Sequence, residues 1–312
     1  MKTALLSLPA GALGGNRTTA LRWAKILREL GWNVVRAVKR DPAQAELIIA
    51  LHAVHTSAEV GRLLKRHPKA KLIVACTGTD MYEARAESQA LLERADRIVV
   101  FQDRALEELT ESQRQRASVI YQSAPALESP PSPPKDHIRV ALIASVRPVK
   151  DPLLAARAAR ALPDGSQIKI THLGAALDPE LTEEVKRESN ENPRYEWRGH
   201  SSRWEALTLL ASSHVAVLPS VNEGGASLIT EAFAVGTPVI ASDAPGNVGL
   251  LGEDYPGLFP SGDLEGLTTL FARVETEEGF LEALSAHSKE RAWISSPHRE
   301  RSAWKELLSE LF

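Results

Sequence analysis

Two carboxylates, Glu223 and Glu231, stand eight positions apart in NEGGASLITEAFAVGTPVIAS, residues 222–242. Glu223 precedes the pair Gly224 and Gly225, and Glu231 lies inside a run that reads as a helix. The apolar VAVLPS before them reads as a strand, so the order is strand, glycine turn, helix. Glycine lets a backbone approach a ligand closely. The amides of Gly224, Gly225, Ala226, Ser227 and Leu228 then face that ligand, with the positive end of the helix dipole behind them. This arrangement suits a phosphate. Carboxylates repel phosphates but accept well from hydroxyls. Hydroxyls on both sides of a phosphate describe a nucleotide sugar. The plainer alternative has Glu223 favouring the helix dipole and Glu231 on the surface.

Four further stretches carry polar chemistry at predicted strand ends. In SVRPVKD, Arg147 and Lys150 follow a strand and would neutralise a diphosphate, or else stand solvated. In GALGGNR, the glycines Gly14 and Gly15 lead through Asn16, a candidate helix cap, to Arg17. A nicotinamide fingerprint needs G-x-G-x-x-G and an acid after the second strand, and here the spacing differs and VKR follows. Arg17 opposes the helix dipole, which an oxyanion ligand would explain; the alternative is a solvated arginine. Thr77, Gly78, Thr79 and Asp80 (TGTD) offer hydroxyls and a flexible backbone, although Asp80 could equally cap the next helix. His52 ends the third strand and is either a core histidine or a ligand contact.

These residues need a framework. Short runs rich in Val, Ile and Leu at Ala4–Leu8, Val34–Val38, Leu47–Leu51, Leu72–Cys76 and Ile98–Phe101 alternate with amphipathic patterns such as Thr18–Leu30 and Ala58–Arg66. This predicts a parallel sheet covered on both faces. ESPPSPPKD holds four prolines in nine residues and cannot continue a helix or a central strand. The alternation restarts at Arg139–Ala144, Gln167–Leu173, Tyr195–Trp197, Val215–Pro219 and Pro238–Ser242. The expected division is an N-terminal acceptor-binding domain, 1–128, a linker, 129–136, and a C-terminal nucleotide-sugar domain, 137–296. A last helix, 297–312, carries Trp304, Leu307, Leu308 and Leu311 on one face, placed to pack back on the N-terminal domain. The predicted class is α/β, with two Rossmann-like parallel-sheet domains facing a central cleft. Ligands of such sheets sit at the carboxyl ends of strands.

The bulk composition narrows the partners. The chain has 312 residues, 43% hydrophobic and 25% charged, with a net charge of −3. That balance gives no global attraction to nucleic acid or to an anionic membrane. The one cysteine, Cys76, lies in an apolar run and reads as buried; it excludes a disulfide framework within the chain. The start, MKTALLSLPAGALGG, has an apolar run too short for a signal peptide, so it reads as a first strand and the location as cytoplasmic. The mixed charges Arg22, Lys25, Arg28 and Glu29 on the first helix do not make a membrane-binding face.

The run from Pro219 to Asp243, with Glu223, Glu231, Gly236 and PVIASD, resembles the family-4-type glycosyltransferases of the GT-B fold. The resemblance implies that Glu231 holds a nucleotide ribose, that Glu223 and the amides after it hold the donor sugar and diphosphate, and that Lys150 binds phosphate. The family carries an arginine five positions before that lysine; Ser145 stands there, and Arg147 is the candidate replacement. A narrower similarity, to the selenosugar synthases of selenoneine biosynthesis, is carried by GNRTTALRWAKILRELGW, LHAVHTSAEV, VACTGTDMY, VIYQSA, VRPVKDP and APGNVGLLGEDYPGLFPSGD. It implies hexosyl transfer from UDP-N-acetylglucosamine or UDP-glucose to selenophosphate. Arg17 and Arg22 would then hold selenophosphate, with His52, Thr77, Thr79 and Asp80 lining its pocket. Neither a metal nor another cofactor is expected.

Overall fold

Leu5 at the centre of the first strand faces one core, while its neighbours Ala4 and Leu6 face another. Alternation of this kind, with no residue left for solvent, is what burial on both faces requires. The computed structural model describes residues 2–9, 15–37 and 42–312. It has two compact units, one of residues 1–122 with Glu223–Gly225 and Pro297–Phe312, the other of Ser123–Asn222 and Ala226–Ser296.

The first unit holds a sheet of β1 (Thr3–Ser7), β2 (Asn33–Arg36), β3 (Leu47–Leu51), β4 (Lys71–Ala75), β5 (Arg97–Val100) and β6 (Ala117–Val119). Its order is β2-β1-β3-β4-β5-β6, with every pairing parallel. The helices are α1 (Gly15–Glu29), α2 (Ser57–Arg66), α3 (Thr79–Tyr82), α4 (Arg85–Arg94) and α5 (Glu111–Arg114). α1 buries Ala20, Trp23, Ala24 and Leu27, the spacing of one helix face. The strand expected at Val34–Val38 is shorter at its described end, and Val38 lies outside the described residues.

The second unit holds β7 (Ile138–Ile143), β8 (Ile168–Leu173), β9 (Tyr195–Trp197), β10 (Val215–Leu218), β11 (Val239–Ser242) and β12 (Leu258–Phe259). Their order, β12-β11-β10-β7-β8-β9, is again parallel throughout and reverses between β7 and β10. α6 (Pro152–Ala161), α7 (Pro179–Glu191), α8 (Arg203–Ala211), α9 (Ser227–Val235), α10 (Pro245–Leu251), α11 (Leu264–Thr276) and α12 (Phe280–Arg291) complete it. α9 stops where Gly236 takes a φ of 79°, a left-handed turn that suits glycine.

The last helix, α13 (Pro297–Leu311), belongs to the first unit. Trp304 is fully buried and meets Trp23 of α1 edge to face, with ring centroids 4.7 Å apart. Beside them Glu300, 2% exposed, accepts from Trp23 Nε1 at 2.8 Å and from Arg22 Nε at 2.8 and 3.0 Å. Cys76 is buried, and burial raises its thiol pKa well above the usual range, with Asp80 adding to the effect. Among the described residues no helix is long and apolar enough to cross a membrane.

Candidate functional site

A parallel sheet whose strand order reverses opens a crevice at that point, outside the carboxyl ends of its strands. In the second unit the reversal lies between β7 and β10. β7 leads into Ser145, Val146 and Arg147, then a single 3₁₀ turn, Pro148–Lys150. β10 leads through Pro219 and Ser220 to Val221, whose N–H donates to the Val149 carbonyl at 2.9 Å. The turn carrying Arg147 and Lys150 and the chain leaving β10 are therefore joined by a main-chain hydrogen bond. Arg147 is exposed and Lys150 half-buried. Among the described residues, no acid forms an ion pair with Arg147.

The β7 end is fixed from below. His172 of β8 is fully buried and bonds the Ala144 carbonyl through Nε2 at 2.8 Å and the Tyr195 hydroxyl through Nδ1 at 2.6 Å. A carbonyl only accepts, so Nε2 carries the proton and Nδ1 accepts from Tyr195. Burial lowers the His172 pKa to about 4, against a smaller opposing effect of the Ala144 bond, so the ring is neutral. Gly174 lies so close to this strand that a methyl group there would overlap Ala144 O at 1.6 Å. Sequence reading places His172 in a strand and gives it no task; the partner it holds is 28 residues away.

α9 begins at Ala226, the N-cap position, with no side-chain hydrogen bond to its first turn. Ser, Thr, Asp or Asn usually supplies that acceptor, and a methyl group cannot. Ser227 and Leu228 form the first turn, and Glu231 lies one turn on with its side chain 13% exposed. Arg203, at the start of α8, puts Nη2 3.3 Å from Glu231 Oε1. Arg203 is absent from the sequence-derived set. The capping box of Ser202 and Glu205 marks it as the first residue of a helix, but nothing local links it to Glu231.

Glu223, Gly224 and Gly225 pack with the first unit. Glu223 is buried at 9% exposure. A Cβ on Gly224 would stand 2.5 Å from Gly78 N and from the Thr77 carbonyl, and one on Gly225 would stand 2.4 Å from Phe101 Cβ. The glycine pair is thus a matter of backbone approach to a protein surface as well as to any ligand. Gly225 O accepts from Gln122 Nε2 at 3.0 Å, and Gln122 Oε1 accepts from Thr19 at 2.6 Å and Arg22 at 2.9 Å. Gln122 is a further residue that the sequence reading did not single out.

The TGTD segment is organised around one buried carboxylate. Asp80 is fully buried; Oδ1 accepts from the N–H groups of Thr77 (2.8 Å) and Gly78 (2.9 Å), and Oδ2 from Ala53 (2.7 Å). Asp80 stands inside α3 and arranges the residues before it; the N-cap position is Gly78, so Asp80 is not the helix cap. Gly78 has φ 134°, and His52, at the end of β3, has φ 90°, a strained value for a residue with a side chain. His52 Nδ1 accepts from His55 N–H at 3.2 Å, so Nε2 holds the proton and donates to Thr79 Oγ1 at 3.0 Å. The His55 ring lies over it, centroids 4.1 Å apart. Burial lowers the His52 pKa, the nearby Asp80 charge opposes this, and His55 adds to the lowering.

Gly15, Asn16 and Arg17 are in the first turn of α1, so the expected loop is helical from Gly15 on and Asn16 is not its cap. Arg17 is exposed there. Gly14 lies outside the described residues. Arg22, read as an acceptor cation, is held within the fold instead: its guanidinium is 10% exposed and bonds Glu300 and Gln122. No group of three or more His, Cys, Asp or Glu side chains among the described residues could hold a metal ion.

Arg147, Lys150 and the uncapped start of α9 are chemically suited to an oxyanion, and Glu231 to hydroxyl donors. Among solved structures, HepE from Anabaena in complex with UDP matches with a TM-score of 0.76 at 17% identity, covering 99% of this chain and 100% of that one. Sucrose-phosphate synthase from Thermosynechococcus elongatus matches with a TM-score of 0.78 at 18% identity, covering 100% and 99%. At these identities the likeness establishes the fold, GT-B. Glycosyltransferase 1 domain-containing protein 1 of Xenopus tropicalis is 28% identical over 174 residues, 54% of this chain and 50% of that protein. The match thus spans about half the length of that relative. The family model for glycosyl transferases group 1 matches residues 125–291, which include β7 to α12. The chain belongs to the glycosyl transferases group 1 family.

Proposed function

We propose that the protein transfers a hexosyl unit from a UDP-sugar, UDP-N-acetylglucosamine or UDP-glucose, to selenophosphate, forming a 1-selenosugar. The observation that carries the donor half is the Val221–Val149 hydrogen bond, which joins the Arg147–Lys150 turn to the chain entering α9. On this reading Lys150 and Arg147 neutralise the diphosphate, and the amides from Gly224 to Leu228 bind its oxygens. Glu231 accepts from the ribose hydroxyls and Glu223 from the sugar. HepE has been crystallised with UDP-glucose, which supports this donor class.

The acceptor half is supported by the sequence resemblance and by the chemistry of the first unit. Arg17, with Gly15 and Asn16, is assigned to the selenophosphate oxyanion, and Thr77, Gly78, Thr79 and His52 to its surroundings, with Asp80 shaping that loop. A selenium anion is a polarisable nucleophile and needs no strong general base. A neutral His52 is compatible with that. The new bond is Se–C1; the bond broken is C1–O to the β-phosphate, and UDP leaves with the electron pair; water then cleaves the Se–P bond of the glycosyl selenophosphate, releasing inorganic phosphate and the 1-selenosugar. Stabilising that leaving group is the main contribution of the protein. The reaction is proposed to need no metal, and to take place in the cytoplasm, where a lone buried cysteine stays reduced.

The test is to incubate the purified protein with each UDP-sugar and selenophosphate, with and without a chelator, and to analyse products by mass spectrometry. A selenium-containing hexose in both conditions is the expected result. Transfer to hydroxyl acceptors alone would replace selenophosphate by an ordinary alcohol acceptor, and product lost on chelation would overturn the metal-free step.

A further inference from the structure

A cavity of about 250 Å³ lies on the first unit, between α1 and the outer edge of its sheet. Its floor is aliphatic, made by Leu6, Leu8, Val34 and Ala24. Three arginines, Arg17, Arg28 and Arg36, also line it. Leu21, 63% exposed, adds an apolar edge. Arg17, Leu21, Ala24 and Arg28 recur at helical spacing, so one face of α1 supplies two of the cations and the apolar surface between them.

No acidic side chain among the described residues forms an ion pair with any of the three arginines. Arg28 donates from Nη2 to the Val34 carbonyl at 3.2 Å. Arg36 Nε is buried with no hydrogen-bond partner. Buried donors in native folds are almost always satisfied, so such an orphan calls for an explanation. Three like charges around one cavity also repel unless an anion joins them. Guanidinium is the group whose planar fork matches carboxylate and phosphate oxygens.

We propose that this cavity binds a small organic anion, a phosphate or carboxylate on an apolar ring-sized body. A cavity of about 150 Å³ is enough to take benzene, so the volume here suits one ring and its oxyanion and excludes a nucleotide sugar. The aliphatic floor sets this ligand apart from selenophosphate, which has no hydrocarbon part. The proposal therefore stands independently of the acceptor assignment, although Arg17 lies at both places.

The experiment titrates phenyl phosphate, inorganic phosphate and benzyl alcohol into the full chain by calorimetry, and repeats this with Arg36→Gln and Arg28→Gln. Saturable binding of phenyl phosphate is expected, about tenfold tighter than either fragment, weakened about tenfold in Arg36→Gln. UDP affinity, measured on the same samples, is expected to stay unchanged, which shows that the variants are folded and separates this site from the donor site. The proposal is overturned if phenyl phosphate does not saturate, if inorganic phosphate binds equally well, or if neither variant weakens binding.

Discussion

Arg203 and Glu231 form an ion pair at 3.3 Å that ties the start of α8 to the second turn of α9. The Glu231 side chain is 13% exposed and that of Arg203 is 38% exposed, so the carboxylate is enclosed and its partner partly solvated. If Glu231 receives the ribose hydroxyls, Glu231→Ala removes a charge-assisted contact worth about 1.5–3 kcal/mol. UDP should then bind about tenfold to a hundredfold more weakly by calorimetry. Arg203→Ala should cost less, about 0–1 kcal/mol, because half-exposed pairs are screened. Unaltered UDP affinity in Glu231→Ala would remove the ribose assignment.

Gly224 and Gly78 touch through their backbones. Alanine at Gly224 meets Gly78 N and the Thr77 carbonyl at 2.5 Å, and neither can rotate away. Overpacking of this kind costs about 1–3 kcal/mol. Gly224→Ala should lower both the melting temperature and kcat/KM, whereas Gly165→Ala, whose methyl group meets nothing within 4 Å, should change neither. Equal behaviour of the two variants would show that the close approach does not matter.

Asp80 holds three main-chain N–H groups from two segments, Ala53 and Thr77–Gly78. Asp80→Ala leaves all three without that acceptor, at about 4.5–9 kcal/mol if each bond to a charged acceptor contributes in its usual range of about 1.5–3 kcal/mol. Asp80→Asn keeps one acceptor oxygen and should lose less. Urea denaturation measures both. A loss below about 1 kcal/mol in Asp80→Ala would mean that the loop is held by other contacts.

His172 predicts a pH effect of known sign. Its pKa is lowered to about 4 in the fold by burial and returns to its ordinary value of 6.5 on unfolding. Between these values the unfolded chain binds the extra proton and the folded chain does not. Stability from this group is therefore complete above about pH 6.5 and falls as the pH drops towards 4, by about 2 kcal/mol from pH 7 to pH 5. His172→Gln should flatten that part of the stability curve. A curve of unaltered slope would contradict a neutral buried imidazole.

The parallel sheets were readable because β1 and β3 are unbroken apolar runs, each buried along its whole length. β6 and β12 were not, since β6 is a half-buried Ala-Ser-Val with a polar residue at its centre and β12 has only two residues. The helix over Gly15–Arg17 reads as loop in the sequence because glycine and asparagine are weak helix formers, and the place of Gly15 and Asn16 in α1 reflects tertiary context. Within the site, residue types were legible and their partners were not. Arg22 finds Glu300 at a separation of 278 residues, Gln122 finds Gly225 at 103, and Asp80 finds Ala53 at 27. Spacing in sequence cannot report contacts that only the fold makes.

The central claim is formation of a selenium–carbon bond at the anomeric centre with departure of UDP. The most direct measurement is a selenium and proton NMR spectrum of the product made by the purified protein from a UDP-sugar and excess selenophosphate. A selenium resonance coupled to the anomeric proton, growing in step with UDP, is the predicted result. UDP formed without that coupling, or no UDP formed while the same sample binds the nucleotide, would contradict it.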